Sequence, residues 1–242
     1  LNIPAAVVDL YQLTRGLVLV TGPAGSGKST TLSCMIDQMN RNCEYHIITI
    51  EDPIEFLYRN DRCIVSQREI NQDTSSFVQA LRFALRQAPN VILLGEMRDY
   101  ETISTAMTAA ETGQLVLSTL HTVGAAKTID RIIDVFPASR QQQMRVQLSM
   151  VLQAVVSQQL IPTLDGGLVP AFEIMIVNNA IRNLIRENKI YQINNVIFSS
   201  GSAHMVTMDS SIFSLYQQKR ISAEHALLYS TDIEAMRKKI GQ

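Results

Sequence analysis

The sequence lacks the features that mark several common classes of protein. Its 242 residues contain no apolar run close to the roughly 18 residues that span a bilayer, and no secretion signal. Its three cysteines form no C-x-x-C pair, which fits a reducing compartment and gives no framework for zinc. The net charge is −1, from 21 basic and 22 acidic residues, and this balance argues against a general nucleic-acid binder. We therefore expect neither zinc nor nucleic acid as a partner.

The remaining composition predicts a folded protein with a large core. Apolar residues make up 46% of the chain, so long disordered segments are not expected. The first residue is leucine, and the segment 1–15, which contains Pro4, is interpreted as the end of a linker from an upstream domain.

A glycine-rich segment gives the strongest chemical signal. It runs Gly22-Pro-Ala-Gly-Ser-Gly-Lys-Ser-Thr30 and matches G-x-x-x-x-G-K-S, the phosphate-binding loop. The apolar run 17–21 predicts a strand before the loop, and the apolar spacing over 31–40 predicts a helix after it. This is the context that the motif requires. The residues expected to bind a nucleotide are Gly22, Gly25, Ser26, Gly27, Lys28, Ser29 and Thr30.

The residue types of this loop suit phosphate chemistry. Its glycines allow the backbone to curl with N–H groups pointing inward, and the following helix adds partial positive charge. Lys28 can reach the β- and γ-phosphates, and the Ser29 hydroxyl can ligate Mg²⁺.

Apolar strands and helices then alternate along the chain, which predicts a largely parallel sheet covered on both faces. The strands are expected over 46–50, around 64–65, over 91–94 and over 115–119, and the helices over 77–87 and 101–111. In such sheets ligands bind at the carboxyl ends of strands. The phosphate loop, the acidic segment 51–55, Glu96 and His121 all follow strands, so we expect them to meet at one edge.

The last third of the chain has a different character. Apolar residues from Met144 to Val155 predict one long helix that begins near Ser139 and is broken at Pro162. A strand-like run follows over 171–177, and short helices are predicted over 178–186, 208–218, 222–229 and from 231 onward. We therefore divide the chain into an ATPase-type core over 16–177 and a C-terminal helical subdomain over 178–242.

Three side chains are candidates for catalysis. Glu96 is the preferred base, because a glutamate at that strand end can hold the attacking water, directly or through the Mg²⁺ shell. Glu55 is the second candidate, and His121 could hydrogen-bond the γ-phosphate. Arg98 and Arg131 could pair with phosphate or with a neighbouring carboxylate.

Arg182 and Arg186 lie four residues apart on a predicted amphipathic helix, an unfavourable like-charge pair. An acidic partner surface would explain both arginines, and a helix that simply docks on the core is the alternative.

Five motifs in sequence order resemble the secretion-superfamily ATPases. They are the loop 22–30, the acidic box 49–56, the strand end 94–99, the box 118–122 that continues to 131, and the segment 180–187. The last reads AIRNLIRE, a signature of the type IV pilus retraction branch, and consists of Ala180, Ile181, Arg182, Asn183, Leu184, Ile185, Arg186 and Glu187.

The resemblance implies an α/β fold: a RecA-like P-loop NTPase core with a C-terminal helical appendage. It implies a homo-hexameric motor in the full-length protein that binds ATP and Mg²⁺ and powers pilus retraction. It also implies a cytoplasmic location at the inner face of the bacterial inner membrane, beside a pilus platform protein. By the same resemblance Glu55 is the acidic-box carboxylate, Glu96 the Walker B glutamate that also reaches Mg²⁺ through water, and His121 the histidine-box residue.

Two departures from the family pattern stand out. Gln114 occupies a position that is usually histidine, which could slow turnover. The PAS-like N-terminal domain that the family carries has no counterpart in these residues, so we expect the chain alone to form hexamers weakly.

Other functions remain open at this point. A pilus-assembly or type II secretion ATPase is disfavoured because those members usually carry a pair of C-x-x-C motifs. A DNA-translocating motor conflicts with the charge balance. A catalytically weak accessory retraction paralogue stays possible because of Gln114.

Overall fold

The computed structural model describes residues 3–200 and 204–241 and is organised around one seven-stranded sheet. The strand order is β3-β2-β4-β5-β1-β6-β7, and every pair is parallel except the antiparallel β6–β7 pair. The strands are β1 Gly16–Thr21, β2 His46–Glu51, β3 Ile64–Glu69, β4 Val91–Leu94, β5 Leu115–Leu120, β6 Leu152–Pro162 and β7 Leu168–Ile176. The predicted linker 1–15 and helical subdomain 178–242 extend over residues 1–2, 201–203 and 242, which lie outside the described residues.

Helices cover both faces of the sheet and the end beyond β7. They are α1 Ala5–Val8, α2 Lys28–Asn42, α3 Phe77–Ala84, α4 Tyr100–Glu111, α5 Ala125–Asp134, α6 Ala138–Val151, α7 Asn179–Arg186, α8 Ile193–Ser199, α9 Met208–Gln217, α10 Ala223–Tyr229 and α11 Ile233–Ile240. None of these described helices is both long and apolar enough to cross a membrane.

The central strand β1 shows why the sheet is buried on both faces. Its residues are all buried, and alternate side chains enter two different hydrophobic clusters. Leu17 and Leu19 pack in one cluster, and Val18 and Val20 pack in the other. A strand covered on both sides needs apolar residues at every position, which explains the uninterrupted apolar run.

One sequence-based prediction is wrong. The helix expected to continue to Val155 ends at Val151, and Leu152–Pro162 forms β6. Residues 154–158 of this strand are all buried, so its apolar residues show no period-two alternation. A short apolar run of that kind cannot be told from a buried helical segment by spacing alone. The strand-like run 171–177 is confirmed up to Ile176: it forms the last six residues of β7, which pairs with β6.

The C-terminal helices pack in two places. Ile181 and Ile185 of α7 pack in the hydrophobic cluster that also contains residues of β1, α4 and α5. Met208 and Ile212 of α9 pack instead with Ile161 of β6 in a separate cluster that includes α10 and α11. The predicted helices at 178–186, 208–218, 222–229 and from 231 are confirmed, whereas α8 was not expected. The domain boundaries remain a prediction.

Candidate functional site

A cavity of about 430 Å³ lies at the carboxyl ends of β1, β2, β4 and β5. The four segments expected to meet there do so. The lining residues are Ala24, Gly25, Gly27, Lys28, Ser29, Thr30, Glu51, Asp52, Pro53, Glu55, Phe77, Gly95, Glu96, Arg98, Thr119 and His121. A parallel sheet brings the carboxyl ends of its strands to one edge, which is why residues so distant in sequence share this cavity.

The loop between β1 and α2 needs glycine for two separate reasons. Gly27 has a φ of +87° and directly precedes α2, in a left-handed conformation that other residues rarely adopt. Gly22 packs against β6, and a Cβ atom there would lie 2.1 Å from the backbone oxygen of Gln158. The loop therefore curls tightly at the positively polarised start of α2, the arrangement that binds phosphate.

Lys28 is folded back onto the loop. Its Nζ atom donates hydrogen bonds to the carbonyl oxygens of Gly22, at 3.1 Å, and Pro23, at 2.9 Å. Burial lowers the pKa of the Lys28 ammonium, and the nearby Glu55 and Glu96 carboxylates oppose that shift. The ammonium group is thus held at the rim of the cavity by weak neutral acceptors, which phosphate oxygens can replace.

Gln158 of β6 supports the loop from below and was missed by the sequence analysis. Its side-chain amide donates to the Ser26 carbonyl oxygen at 2.6 Å and accepts from the Thr31 hydroxyl at 2.7 Å. The side chain is fully buried, and its two bonds join the loop to the first turn of α2. The sequence signal that could have identified Gln158 is the pair of adjacent polar residues, Ser157 and Gln158, inside an apolar run. It was missed because the segment was wrongly predicted to be a helix.

Glu96 stands opposite the loop, directly after β4. Its side chain is 17% exposed, and its Oε2 atom lies 2.6 Å from Nε of Arg98 and 3.7 Å from Nε2 of His121. The Thr119 hydroxyl donates to the Gly95 carbonyl oxygen at 2.6 Å and so joins the ends of β4 and β5 beneath it. The sequence suggested phosphate or a neighbouring carboxylate as the partner of Arg98, and in the structure Arg98 contacts the carboxylate of Glu96.

The acidic segment after β2 is held over the cavity by its own contacts. Glu51 is buried, and this burial raises the pKa of its carboxyl group. The Asp52–Pro53 peptide bond is cis, and the Ile54 N–H donates to the Glu69 carboxylate at 3.0 Å. Glu55 follows and lines the cavity. The negative charge of its carboxylate raises the pKa of Lys28.

The donor set of the cavity fits a magnesium nucleotide. The Ser29 hydroxyl and the carboxylates of Glu55 and Glu96 are hard oxygen ligands of the kind that Mg²⁺ prefers, and Lys28 suits phosphate. The buried Ser26 hydroxyl has no hydrogen-bond partner among the described residues and belongs to the same loop. Within residues 3–200 and 204–241, no three His, Cys, Asp or Glu side chains are grouped to hold a metal on their own.

Gln114 and His121 lie at opposite ends of β5. His121 follows the strand and lines the cavity, whereas Gln114 precedes the strand and accepts a 2.8 Å hydrogen bond from the Thr112 hydroxyl. At about 3.3 Å per residue, the six residues of β5 leave seven residue steps between the two positions, or roughly 23 Å. Gln114 therefore does not contact the cavity of its own chain.

None of residues 180–187 lines the cavity, and the two arginines there differ in their contacts. Arg182 donates to the Ser149 and Met150 carbonyl oxygens, at 2.5 and 3.1 Å, and thus satisfies the end of α6. Arg186 contacts Asn183 of its own helix. An acidic partner is therefore not required to account for Arg182, because α6 supplies acceptors for its side chain, and the part of residues 180–187 in partner binding stays a prediction.

The fold and the cavity define a P-loop nucleotide-binding protein with a RecA-like α/β core. The family model described as Type II/IV secretion system protein matches residues 4–238, and the chain belongs to that family.

Relatives with named functions extend this finding. The chain is 53% identical over 237 residues to a twitching motility protein of Neisseria gonorrhoeae, covering 98% of this chain and 63% of the relative. It is 56% identical over 215 residues to the type IV pilus retraction ATPase PilT of Pseudomonas aeruginosa, covering 89% of this chain and 62% of the relative. The chain thus spans somewhat less than two thirds of the length of these relatives.

A solved structure is similar over nearly the whole chain. The crystal structure of the pilus retraction motor PilT with bound ADP superimposes with a TM-score of 0.93 at 50% identity, covering 98% of this chain and 68% of that one. The resemblance to secretion-superfamily ATPases of the retraction type is confirmed.

Proposed function

We propose that the protein hydrolyses ATP and that this hydrolysis powers retraction of a type IV pilus. The observation that carries the first part is the placement of Glu96 and His121 across one cavity from Lys28 and the phosphate loop. The functions named for the relatives and the AIRNLIRE segment support the role in pilus retraction.

Each side chain has a defined task in this proposal. Lys28 exchanges the Gly22 and Pro23 carbonyl oxygens for the β- and γ-phosphates of ATP. Glu96 orients the attacking water with Oε2 and accepts its proton, and His121 donates to the γ-phosphate from the neighbouring strand end. Bound Mg²⁺, held by Ser29 and through water by Glu96, would neutralise phosphate charge. Glu55 assists from the acidic segment.

The assembly and location follow from the same kinship. We propose a homo-hexamer of the full-length protein, at the inner face of the bacterial inner membrane, that acts on a pilus platform protein. ATP binding would close one domain against its neighbour, and product release would reopen it. A weakly hydrolysing accessory paralogue is the second candidate. Because Gln114 lies roughly 23 Å from His121, at the other end of β5, the main proposal assigns Gln114 no direct effect on the site of its own chain.

Complementation of a strain that lacks the gene tests the proposal. Glu96→Gln should leave pili on the cell surface but abolish their retraction, while Glu44→Gln, which removes an exposed ion pair with Arg62, should retract normally. Absence of surface pili in the deletion strain would indicate an assembly ATPase instead. Normal retraction by Glu96→Gln would indicate an accessory role.

A further inference from the structure

Glu173 is a buried carboxylate outside the phosphate cavity that holds the first residues of two helices. It lies on β7 and is 5% exposed. Its Oε1 atom accepts from the Ala125 N–H at 2.6 Å, and its Oε2 atom accepts from the Met208 N–H at 3.3 Å. Ala125 is the first residue of α5 and Met208 is the first residue of α9. One side chain therefore joins the helix that follows the His121 loop to a helix of the C-terminal cluster.

The segment 121–124 between β5 and α5 depends on this region of the sheet. The Gly124 N–H donates to the Ser157 hydroxyl at 2.9 Å, and Ser157 stands directly opposite Glu173 in the β6–β7 pair. Among the described residues, the hydrogen-bond partner of the Thr122 hydroxyl is Thr128, 2.7 Å away on α5 itself. Apart from the 3.7 Å contact between His121 and Glu96, the described side chains that attach the loop to other elements are thus Ser157 and Glu173.

The chemistry of the two helix ends explains why a carboxylate occupies this position. Each helix N-terminus carries unpaired N–H groups and partial positive charge. Burial raises the pKa of Glu173, and the N–H groups of Ala125 and Met208 oppose that shift. A glutamine of the same size could accept only one of the two N–H groups, because its amide nitrogen is itself a donor.

We propose that Glu173 is a positioning residue for hydrolysis. It fixes the loop that presents His121 to Glu96, and it attaches that loop to α9, so that the two move together. The role in hydrolysis rests on the ATPase function proposed above, whereas the attachment itself does not.

A double-mutant cycle with His121 tests the role in hydrolysis. Glu173→Gln should lower kcat about tenfold and leave KM within about twofold, because the loop and not the phosphate site is disturbed. In a His121→Ala background the same substitution should change kcat by less than about twofold, because its effect acts through His121. An equal tenfold loss in both backgrounds would overturn the proposal.

Hydrogen exchange of the nucleotide-free, full-length protein tests the attachment without any hydrolysis. Glu173→Gln should speed amide exchange in both 121–126 and 207–210 and leave the loop 22–30 unchanged. Ile47→Val, a fully buried substitution in β2, controls for general loss of stability. Glu173→Asp keeps the charge on a shorter side chain and should give exchange rates between those of wild type and Glu173→Gln. It replaces Glu173→Gln in the test if the glutamine variant folds poorly. Unchanged exchange in either segment would overturn the attachment, even if the wild-type protein hydrolyses no ATP.

Discussion

The Nε atom of Arg98 lies 2.6 Å from Oε2 of Glu96, the same oxygen that faces His121 at 3.7 Å. The oxygen expected to orient water is therefore engaged by an arginine in this structure. Because the Arg98 side chain is 74% exposed, the ion pair is expected to contribute at most about 1 kcal/mol and to exchange readily.

This exposure predicts that Arg98 is dispensable for hydrolysis. Arg98→Gln should keep kcat within about fivefold of wild type, because a pair worth no more than about 1 kcal/mol alters a rate by at most about fivefold. Steady-state phosphate release measures the change in kcat, and a thermal unfolding scan measures the change in stability. A loss of activity as large as that of Glu96→Gln would instead place Arg98 on the phosphates.

Gln158 should be needed for nucleotide affinity. Gln158→Leu leaves the Ser26 carbonyl and the Thr31 hydroxyl without their partner, at a cost of about 1–3 kcal/mol for each group. Part of that free-energy cost should appear as disorder of the loop 22–30. We therefore expect nucleotide affinity to be about tenfold weaker, which corresponds to about 1.4 kcal/mol. Titration with a fluorescent ADP analogue measures the change.

Gln159→Leu is the matched control for Gln158→Leu. Gln159 is the next residue of β6, and its amide donates to the Tyr229 carbonyl oxygen on the far side from the loop. Its replacement should leave ADP affinity within about twofold of wild type. Equal weakening by both substitutions would show that the affinity follows strand stability and not the loop contact.

The two arginines of α7 should differ in their effect on stability. Arg182→Ala removes donors to the last carbonyl groups of α6, and we expect a loss of about 2 kcal/mol in the free energy of unfolding. Arg186→Ala should cost less than about 0.5 kcal/mol, because the hydrogen bond that its side chain makes among the described residues is to Asn183 of its own helix. Urea unfolding of both variants measures the two losses in the free energy of unfolding. Equal losses would contradict the expected difference between Arg182 and Arg186.

The state of Lys28 predicts how nucleotide binding depends on pH. Burial lowers the pKa of the Lys28 ammonium from its ordinary 10.5. Since only the charged form attracts phosphate, ADP affinity should fall as the pH rises through that lowered pKa, before an ordinary lysine loses its proton. Lys28→Arg should bind more weakly at pH 7 but show a flatter profile up to pH 10, because arginine keeps its charge. Parallel profiles for the two proteins would exclude Lys28 as the titrating group.

Much of the site could be predicted from sequence because its parts are local. The loop around Lys28 carries its own strand, turn and helix signals, and Glu96 and His121 each end an apolar strand. Their meeting at one cavity follows from parallel strand pairing, so it could be predicted without any knowledge of side-chain contacts.

The support beneath the site could not be predicted in the same way. Ser157, Gln158 and Glu173 act through contacts with residues 33 to 132 positions away, and no local pattern encodes those pairings. The apolar spacing from Met144 to Val155 is compatible with a helix, and only pairing with β1 and β7 decides that Leu152–Pro162 is a strand. The acceptors of Arg182 were hidden for the same reason, since they belong to the end of α6.

Steady-state ATP hydrolysis by the full-length protein, as wild type and as Glu96→Gln, is the most direct test of Glu96 as the catalytic base, with ADP affinity measured in parallel. The substitution should lower kcat at least tenfold, or about 1.4 kcal/mol of barrier, while ADP affinity stays within about threefold. A wild-type protein that binds nucleotide but does not turn it over, or a variant that hydrolyses ATP at the wild-type rate, would contradict this role of Glu96.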